Sequence, residues 1–89
     1  MPGISAQVSL YPLRHKQLSP VIDEALEEFR RRDLEVQPGT MSTLVLGTEE
    51  LVFSALREAF RKASRRGEVV MVVTLSNACP LPARRPSSK

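Results

Sequence analysis

The sequence predicts an α+β fold in which two helices pack on one face of a four-stranded antiparallel sheet. Apolar residues alternate with polar ones in four short segments and recur at helical spacing in two longer segments. Along the chain these segments follow the order strand, helix, strand, strand, helix, strand. A chain of 89 residues is long enough for one such domain with a thin core. We expect the domain to span residues 1–80.

The first strand is predicted over residues 4–11, where side chains alternate in character. Alternation at every second residue places one set of side chains on each face of a strand. The apolar set, which we expect under the helices, is Ile4, Ala6, Val8 and Leu10. The set that we expect on the opposite face includes Gln7, Ser9 and Tyr11. Pro12 ends the strand because proline has no backbone N–H to donate.

The first helix is predicted to begin at Ser19-Pro20, since serine is a preferred N-cap and proline suits the first helical turn. Apolar residues then recur at helical spacing as far as Phe29. Glu27 and Glu28 precede two arginines by four residues. We interpret these charges as a solvated helix face.

Residues 34–37 and 43–46 each alternate briefly, and Pro38-Gly39 between them marks a turn. The two segments are therefore predicted to form a hairpin. Because proline cannot donate a sheet hydrogen bond, Pro38 indicates that the first of these strands lies at an edge of the sheet.

The second helix is predicted to begin after Thr48, an N-cap followed by two glutamates. It runs to about Arg66, where Gly67 can adopt the positive φ that ends a helix. The apolar run that follows predicts the last strand over residues 68–76.

This order of elements is that of a ferredoxin-like βαββαβ sandwich. Right-handed crossovers place the first and third strands in the centre, so the predicted strand order across the sheet is 4-1-3-2. Both helices lie on one face. The large side chains that we place in the core by their spacing are Phe29, Phe53, Phe60 and Met71.

The face that the helices leave open is predicted to be partly apolar and partly polar. Val70 and Val72 lie there by alternation, and valines disfavour full exposure. We therefore expect a homodimer or a dimer of dimers, formed through the open sheet face or through the sheet edges. The polar residues that converge on this face, and that we predict to bind a ligand, are Gln7, Ser9, Tyr11, Ser42, Thr43, Thr74, Ser76 and Asn77.

A surface that combines hydroxyls, amides and one phenol with valine side chains can bind a flat, uncharged heterocycle. The valines contact the faces of the ring, while an amide presents a donor beside an acceptor to its edge. The alternative is that these side chains bond to one another or across a subunit interface.

The net charge of +3 is located in the tail, residues 81–89, whose Arg84, Arg85 and Lys89 leave ten basic residues to balance ten acidic ones. We expect this proline- and serine-rich tail to be disordered, and we expect no nucleic-acid partner. No segment approaches the roughly 20 apolar residues of a membrane span. The first residues also lack the pattern of a signal peptide, so we expect a cytoplasmic protein.

Cysteine and histidine each occur once, as Cys79 and His15, which excludes a disulfide framework and a structural zinc site within a single chain. The predicted topology places them at opposite ends of the sheet, where they cannot form a nucleophile and base pair. We expect no catalytic residue, no metal and no cofactor. Cys79 is expected to pack as a small apolar side chain.

Three segments of the chain resemble the YkoF-like family of thiamine and hydroxymethylpyrimidine-binding proteins. They are Val8-Ser9-Leu10-Tyr11-Pro12-Leu13, Met41-Ser42-Thr43 followed by Gly47, and Val69-Val70-Met71 running into Thr74-Leu75-Ser76-Asn77-Ala78-Cys79-Pro80. The specific parts are SLYP and T-x-S-x-x-C-P, and the resemblance covers about residues 4–80.

The resemblance implies a ferredoxin-like module that binds thiamine or its pyrimidine moiety without catalysis, in vitamin salvage or transport. Some members carry two modules in one chain, so a homodimer or a dimer of dimers would supply the second module here. Gln7, Ser9, Thr43 and Asn77 would read the edge of the aminopyrimidine, and Tyr11 would stack on a ring. No acidic residue clearly lines the proposed face, so we expect the pyrimidine to be recognised better than the cationic thiazolium.

Two other classes of function compete with this one. A homo-oligomeric interaction module without a small-molecule ligand would use the same open face as an interface. An RNA-binding module of this fold would need exposed aromatic residues on its central strands, where Tyr11 stands alone.

Overall fold

A computed structural model describes residues 3–14, 18–39 and 42–78. Within these ranges the elements follow the predicted order. They are β1 (Ile4–Pro12), α1 (Ser19–Arg30), β2 (Glu35–Pro38), β3 (Thr43–Gly47), α2 (Glu49–Arg65) and β4 (Val69–Ser76). His15, Cys79 and the predicted tail lie outside the described residues.

The four strands form one antiparallel sheet in the order β2-β3-β1-β4, which is the predicted order read from the other edge. The ferredoxin-like α+β fold is thus confirmed. β2 lies at an edge, as Pro38 indicated. In the register of the central strand β1, Val8 lies opposite Thr43 of β3 and Gln7 lies opposite Thr74 of β4.

The core lies between the helices and the sheet. Phe29 of α1 is its largest fully buried side chain, at 1% exposure, and burying such a side chain contributes about 1.5–3 kcal/mol. It packs with a set of small residues, which are Ala6, Val8, Ala25, Val45, Val52, Ala55 and Ala59. Met71 packs against this cluster as predicted.

The prediction that Phe53 and Phe60 are core residues is wrong, since they are 47% and 43% exposed. The face of α2 that is buried carries smaller side chains, namely Val52, Ala55, Leu56, Ala59 and Ala63. Phe53 and Phe60 each follow one of these residues directly and therefore lie about 100° further around the helix. Small residues on the buried face let α2 approach its neighbours closely. The rings of Phe53 and Phe60 remain at the side of this face, where they are partly exposed.

The two helices begin differently. Thr48 caps α2 as predicted, since its Oγ1 accepts a hydrogen bond from the backbone N–H of Leu51 at 3.3 Å. Ser19 was predicted to cap α1 but is its first helical residue. Leu18 occupies the N-cap position in a helical backbone conformation, with no side-chain cap hydrogen bond. Gly67 follows α2 with a φ of 141°, which fits its predicted role as a stop.

The interpretation of Glu28 as part of a solvated face is also wrong, because this residue is buried between the helices. Its carboxylate contacts Arg32 at 3.0 Å and Arg31 at 3.1 Å on its own helix, and Lys62 of α2 at 3.0 Å. The hydrogen bond from Arg32, followed by that from Lys62, lowers the pKa of Glu28 to about 2. The carboxylate therefore stays ionised and links α1 to α2.

Candidate functional site

A row of four side chains crosses the open face of the sheet, one from each strand. Side chains directly opposite each other in antiparallel strands lie on the same face. Gln7 of β1 lies opposite Thr74 of β4 on one side and opposite Leu44 of β3 on the other. Leu44 in turn lies opposite Gln37 of β2. We call Thr74, Gln7, Leu44 and Gln37 the cross-sheet row.

Hydrogen bonds hold both amides of the cross-sheet row. Gln7 Nε2 donates to Ser42 Oγ at 3.1 Å, and Gln37 Nε2 donates to Glu35 Oε2 at 2.6 Å. In each of these bonds the amide nitrogen is the donor. The carbonyl oxygen of each side chain is its acceptor atom and can accept a hydrogen bond from a bound molecule.

A depression open to solvent lies over the β1, β3 and β2 part of the row and has a volume of about 410 Å³. Its lining residues are Gln7, Gln37, Pro38, Gly39, Ser42 and Leu44. This volume falls in the range of sites for small molecules, roughly 300–1,000 Å³. Two amides and a hydroxyl next to a leucine give it both polar and apolar surface.

Further along β1 the open face becomes more apolar. Tyr11 lies opposite Val70, and Ser9 lies opposite Val72. Tyr11 and both valines are about half exposed, with Val72 at 51%. The predicted residues Ser9 and Tyr11 thus share a face with Gln7 and lie on the apolar side of it.

One predicted site residue, Thr43, lies on the opposite face of the sheet. It pairs with Val8 and is buried under the helices at 7% exposure. Neighbouring residues of a strand point to opposite faces, so Ser42 and Thr43 cannot both contact a ligand on the open face. The placement of Thr43 there is therefore wrong.

The remaining two predicted residues, Ser76 and Asn77, lie at the end of β4. Ser76 is opposite Ser5 on the open face, and its Oγ accepts a hydrogen bond from the backbone N–H of Ala78 at 3.1 Å. Asn77 follows the strand. Both residues line a second cavity of about 460 Å³, which we call the end cavity and whose other lining residues are Ile4, Glu49, Phe53 and Leu75.

Sequence reasoning missed Gln37, Glu49 and Phe53. The signal for Gln37 was present, because alternation in residues 34–37 together with the strand order places it in line with Gln7. Glu49 was interpreted only as a charge in the first helical turn, and Phe53 only as a core residue. Their approach to Asn77 depends on how α2 packs against the end of the sheet, which their spacing does not encode.

Residues 3–14, 18–39 and 42–78 contain neither a candidate metal site nor a helix that could span a membrane. No group of three or more histidine, cysteine, aspartate or glutamate side chains there could hold a metal ion. Neither helix in these ranges is long and apolar enough to cross a membrane.

The fold and the cross-sheet row define a ferredoxin-like α+β protein whose open sheet face is polar along that row and apolar around Tyr11, Val70 and Val72. The model of the YKOF-related family matches residues 4–82. The chain belongs to this family, as its resemblance indicated. No curated protein matches it at a significant level.

Solved structures of three other proteins share the fold. A hypothetical protein from Methanocaldococcus jannascii has 24% sequence identity and a TM-score of 0.80, with 99% of this chain and 87% of that chain covered. A candidate thiamine biosynthesis/salvage protein from Thermotoga maritima has 21% identity and a TM-score of 0.76, with 84% and 83% covered. A domain of unknown function from Bacillus cereus has 19% identity and a TM-score of 0.77, with 90% and 79% covered.

Proposed function

We propose that the protein binds thiamine or its hydroxymethylpyrimidine moiety without catalysing a reaction, in cytoplasmic vitamin salvage or in transport. Membership of the YKOF-related family and the structural likeness to the Thermotoga maritima protein support a thiamine-related role. The observation that carries the proposal is the cross-sheet row with its depression of about 410 Å³.

The chemistry of the row suits an aminopyrimidine. Such a ring has an exocyclic amine that donates hydrogen bonds and ring nitrogens that accept them. The carbonyl oxygens of Gln7 and Gln37 can accept from the amine, while the hydroxyls of Ser42 and Thr74 can donate to the ring nitrogens. Leu44, between the two amides, offers an apolar surface for the face of the ring.

The side chains of the row also favour binding over catalysis. They are neutral amides, a hydroxyl and an aliphatic group, whereas general acid–base catalysis relies on titratable groups with adjusted pKa values. Among the described residues, those whose pKa is clearly shifted are Glu24, Glu28 and Arg66. These three belong to the helix layer, on the other side of the sheet from the row.

We also propose that two copies of the chain pair through the apolar side of the open face. Tyr11, Val70 and Val72 are half exposed on one surface, and a second copy would cover them. Without a ligand, this pairing alone would make the protein a homo-oligomeric interaction module.

Isothermal titration with hydroxymethylpyrimidine and, separately, with thiamine tests the binding proposal. We expect one ligand per chain, and a roughly five-fold weaker affinity for the pyrimidine in Gln7→Ala, since a hydrogen bond contributes about 1 kcal/mol. Thr43→Val is the matched control, because this buried side chain has the same shape as valine and lies on the other face. It should leave the affinity unchanged.

Absence of heat with both ligands, in protein that is folded by circular dichroism, would favour the interaction module instead. Equal losses in Gln7→Ala and Thr43→Val would indicate a general change of structure and would remove the cross-sheet row as the site.

A further inference from the structure

Two side chains on the open face of the sheet are buried, although both helices lie on the other face. Ser5 of β1 is 5% exposed and Leu46 of β3 is 4% exposed, and they lie opposite each other. Leu46 shares the face of Leu44, two residues before it, and is not part of the core cluster beneath the helices. A part of the molecule other than the helices therefore covers these two side chains.

The buried pair belongs to a second row of side chains across the open face. Ser5 is also opposite Ser76 of β4, and Leu46 is also opposite Glu35 of β2. We call Ser76, Ser5, Leu46 and Glu35 the end row. It lies two residues along the strands from the cross-sheet row, whose Gln7 is exposed. The burial thus marks the end of the face at which β1 begins and β4 ends.

The chain leaves β4 on the side of the end row. The side chain of Ser76 lies on the open face, and its Oγ accepts a hydrogen bond from the backbone N–H of Ala78 at 3.1 Å. This bond holds the backbone of residue 78 toward the open face. The next residues along the chain are 79–89, with the sequence CPLPARRPSSK.

The length and the residues of this segment fit the end row. Leu46 lies two strands away from β4, roughly 10 Å at the usual spacing of strands. An extended chain advances about 3.1 Å per residue, so residues 79–81 cover that distance. Pro80 and Pro82 favour an extended backbone around Leu81. The side chain of Leu81 can therefore reach Leu46 and remove it from water.

The charges of the segment also match the far end of the row. Glu35 forms no ion pair with any described residue. Arg84 and Arg85 follow Leu81 by three and four residues, which is enough chain to cross the one strand that separates Leu46 from Glu35. An exposed ion pair is weak, so most of the stabilisation would come from Leu81.

We propose that residues 79–85 cross the open face along the end row and cover it, with Leu81 on Leu46 and the two arginines beside Glu35. This strap replaces the disorder expected from composition for the first part of the tail. It would lie about 7 Å from the cross-sheet row and form a wall of the depression there. That last role rests on the proposed function, whereas the contact itself needs no ligand.

Thiol labelling of the full chain tests the contact, after Cys79→Ser has removed the native thiol. Ser5→Cys changes one atom and places a thiol in the end row, and Leu46→Cys does so in a separate variant. We expect both thiols to react with iodoacetamide about ten-fold or more slowly than the thiol of Leu75→Cys, since a covered group reacts only when its cover opens. Leu75 is the reference because it is 44% exposed and lies opposite Ala6, on the helix side.

A pair of substitutions in the tail identifies the cover. Leu81→Asp should accelerate labelling at both positions about ten-fold, because an unpaired carboxylate disfavours burial against Leu46. Ser87→Asp, which adds the same charge beyond the strap, should leave both rates unchanged. Thermal unfolding of each variant shows that the fold is retained, and Ser5→Cys decides the question if Leu46→Cys does not fold.

Labelling of Ser5→Cys as fast as that of Leu75→Cys would overturn the proposal. Slow labelling that Leu81→Asp does not accelerate would also overturn it, because another segment would then cover the row. Rates that rise when the protein is diluted would show that a second copy supplies the cover. Because no ligand is added, these outcomes are independent of whether hydroxymethylpyrimidine or thiamine binds.

Discussion

The Glu28 carboxylate lies at the interface between the two helices. Its side chain is 4% exposed, and its oxygens lie within 3.1 Å of Arg31, Arg32 and Lys62. Removal of one member of a buried ionic cluster is destabilising, because the other charges then lack a partner. The structure therefore makes Glu28 important for stability, although it lies on the other side of the sheet from the cross-sheet row.

We predict that Glu28→Ala lowers the free energy of unfolding by about 3 kcal/mol, which corresponds to the shift of its pKa from 4.5 to about 2. Because the pKa is lower in the folded state, this stabilisation is present above pH 4.5 and is lost as the pH falls toward 2. Urea unfolding near pH 7 and near pH 3 measures it. The wild-type chain should lose stability between these values more steeply than Glu28→Ala.

Glu27→Ala is the matched control, since the side chain of Glu27 is 57% exposed and its contact with Arg30 is 3.8 Å. This change should cost less than about 0.5 kcal/mol. Equal effects of the two substitutions would contradict a special role for Glu28.

At the scale of residues, the sequence indicates whether a side chain is apolar, polar or charged, but it does not indicate the exact direction in which that side chain points. Glu27 and Glu28 each precede an arginine by four residues, and only the direction from which α2 approaches decides which one is buried. Phe53 and Val52 show the same limit. The apolar residues of α2 cover a wider arc than the face that is buried, so the sequence alone does not decide that Val52 is buried and Phe53 is exposed. No pattern in the sequence places Glu49 beside Asn77 either, although both line the end cavity.

At the scale of elements, the starts of the two helices provide a direct comparison. We predict that Thr48→Ala lowers the free energy of unfolding by about 1 kcal/mol, because the cap hydrogen bond to Leu51 is lost. Ser19→Ala should change it by only a few tenths of a kcal/mol, because the side chain of Ser19 makes no cap hydrogen bond. Chemical denaturation of both variants measures the difference. A larger loss in Ser19→Ala would show that serine, rather than Leu18, caps α1 in solution.

The elements themselves were largely predictable. Each strand and helix begins and ends within about two residues of its expected position, because alternation, helical spacing and the residues Pro12, Pro38 and Gly67 mark them clearly. Gln7 and Thr74, which were both predicted on the open face, lie directly opposite each other in β1 and β4. Alternation places side chains only within a strand, however. Asn77 follows the end of β4, so its position could not be predicted from the sequence.

At the scale of the whole molecule, the apolar side of the open face leads to a prediction about assembly. Wild-type protein should sediment as a dimer or a larger oligomer, and Val72→Lys should weaken the association about ten-fold or more, because an unpaired charge would be buried between copies. Phe60→Lys, which changes a comparably exposed apolar side chain on the helix side, should have little effect. Analytical ultracentrifugation over a range of concentrations distinguishes the variants.

A monomeric wild-type protein would contradict pairing through the open face. Dissociation caused by Phe60→Lys rather than by Val72→Lys would place the interface on the helices instead.

The pairing of β1 with β4 also has a consequence for biosynthesis. Of the four strands in this sheet, β1 leaves the ribosome first, but it lies in the centre of the sheet and receives one of its two neighbours from residues 69–76. Until that segment has been translated, one backbone edge of β1 has no strand beside it, and such an edge can pair with other nascent chains. The nascent chain therefore depends on the timely emergence of β4, or on a chaperone that shields β1, to avoid aggregation.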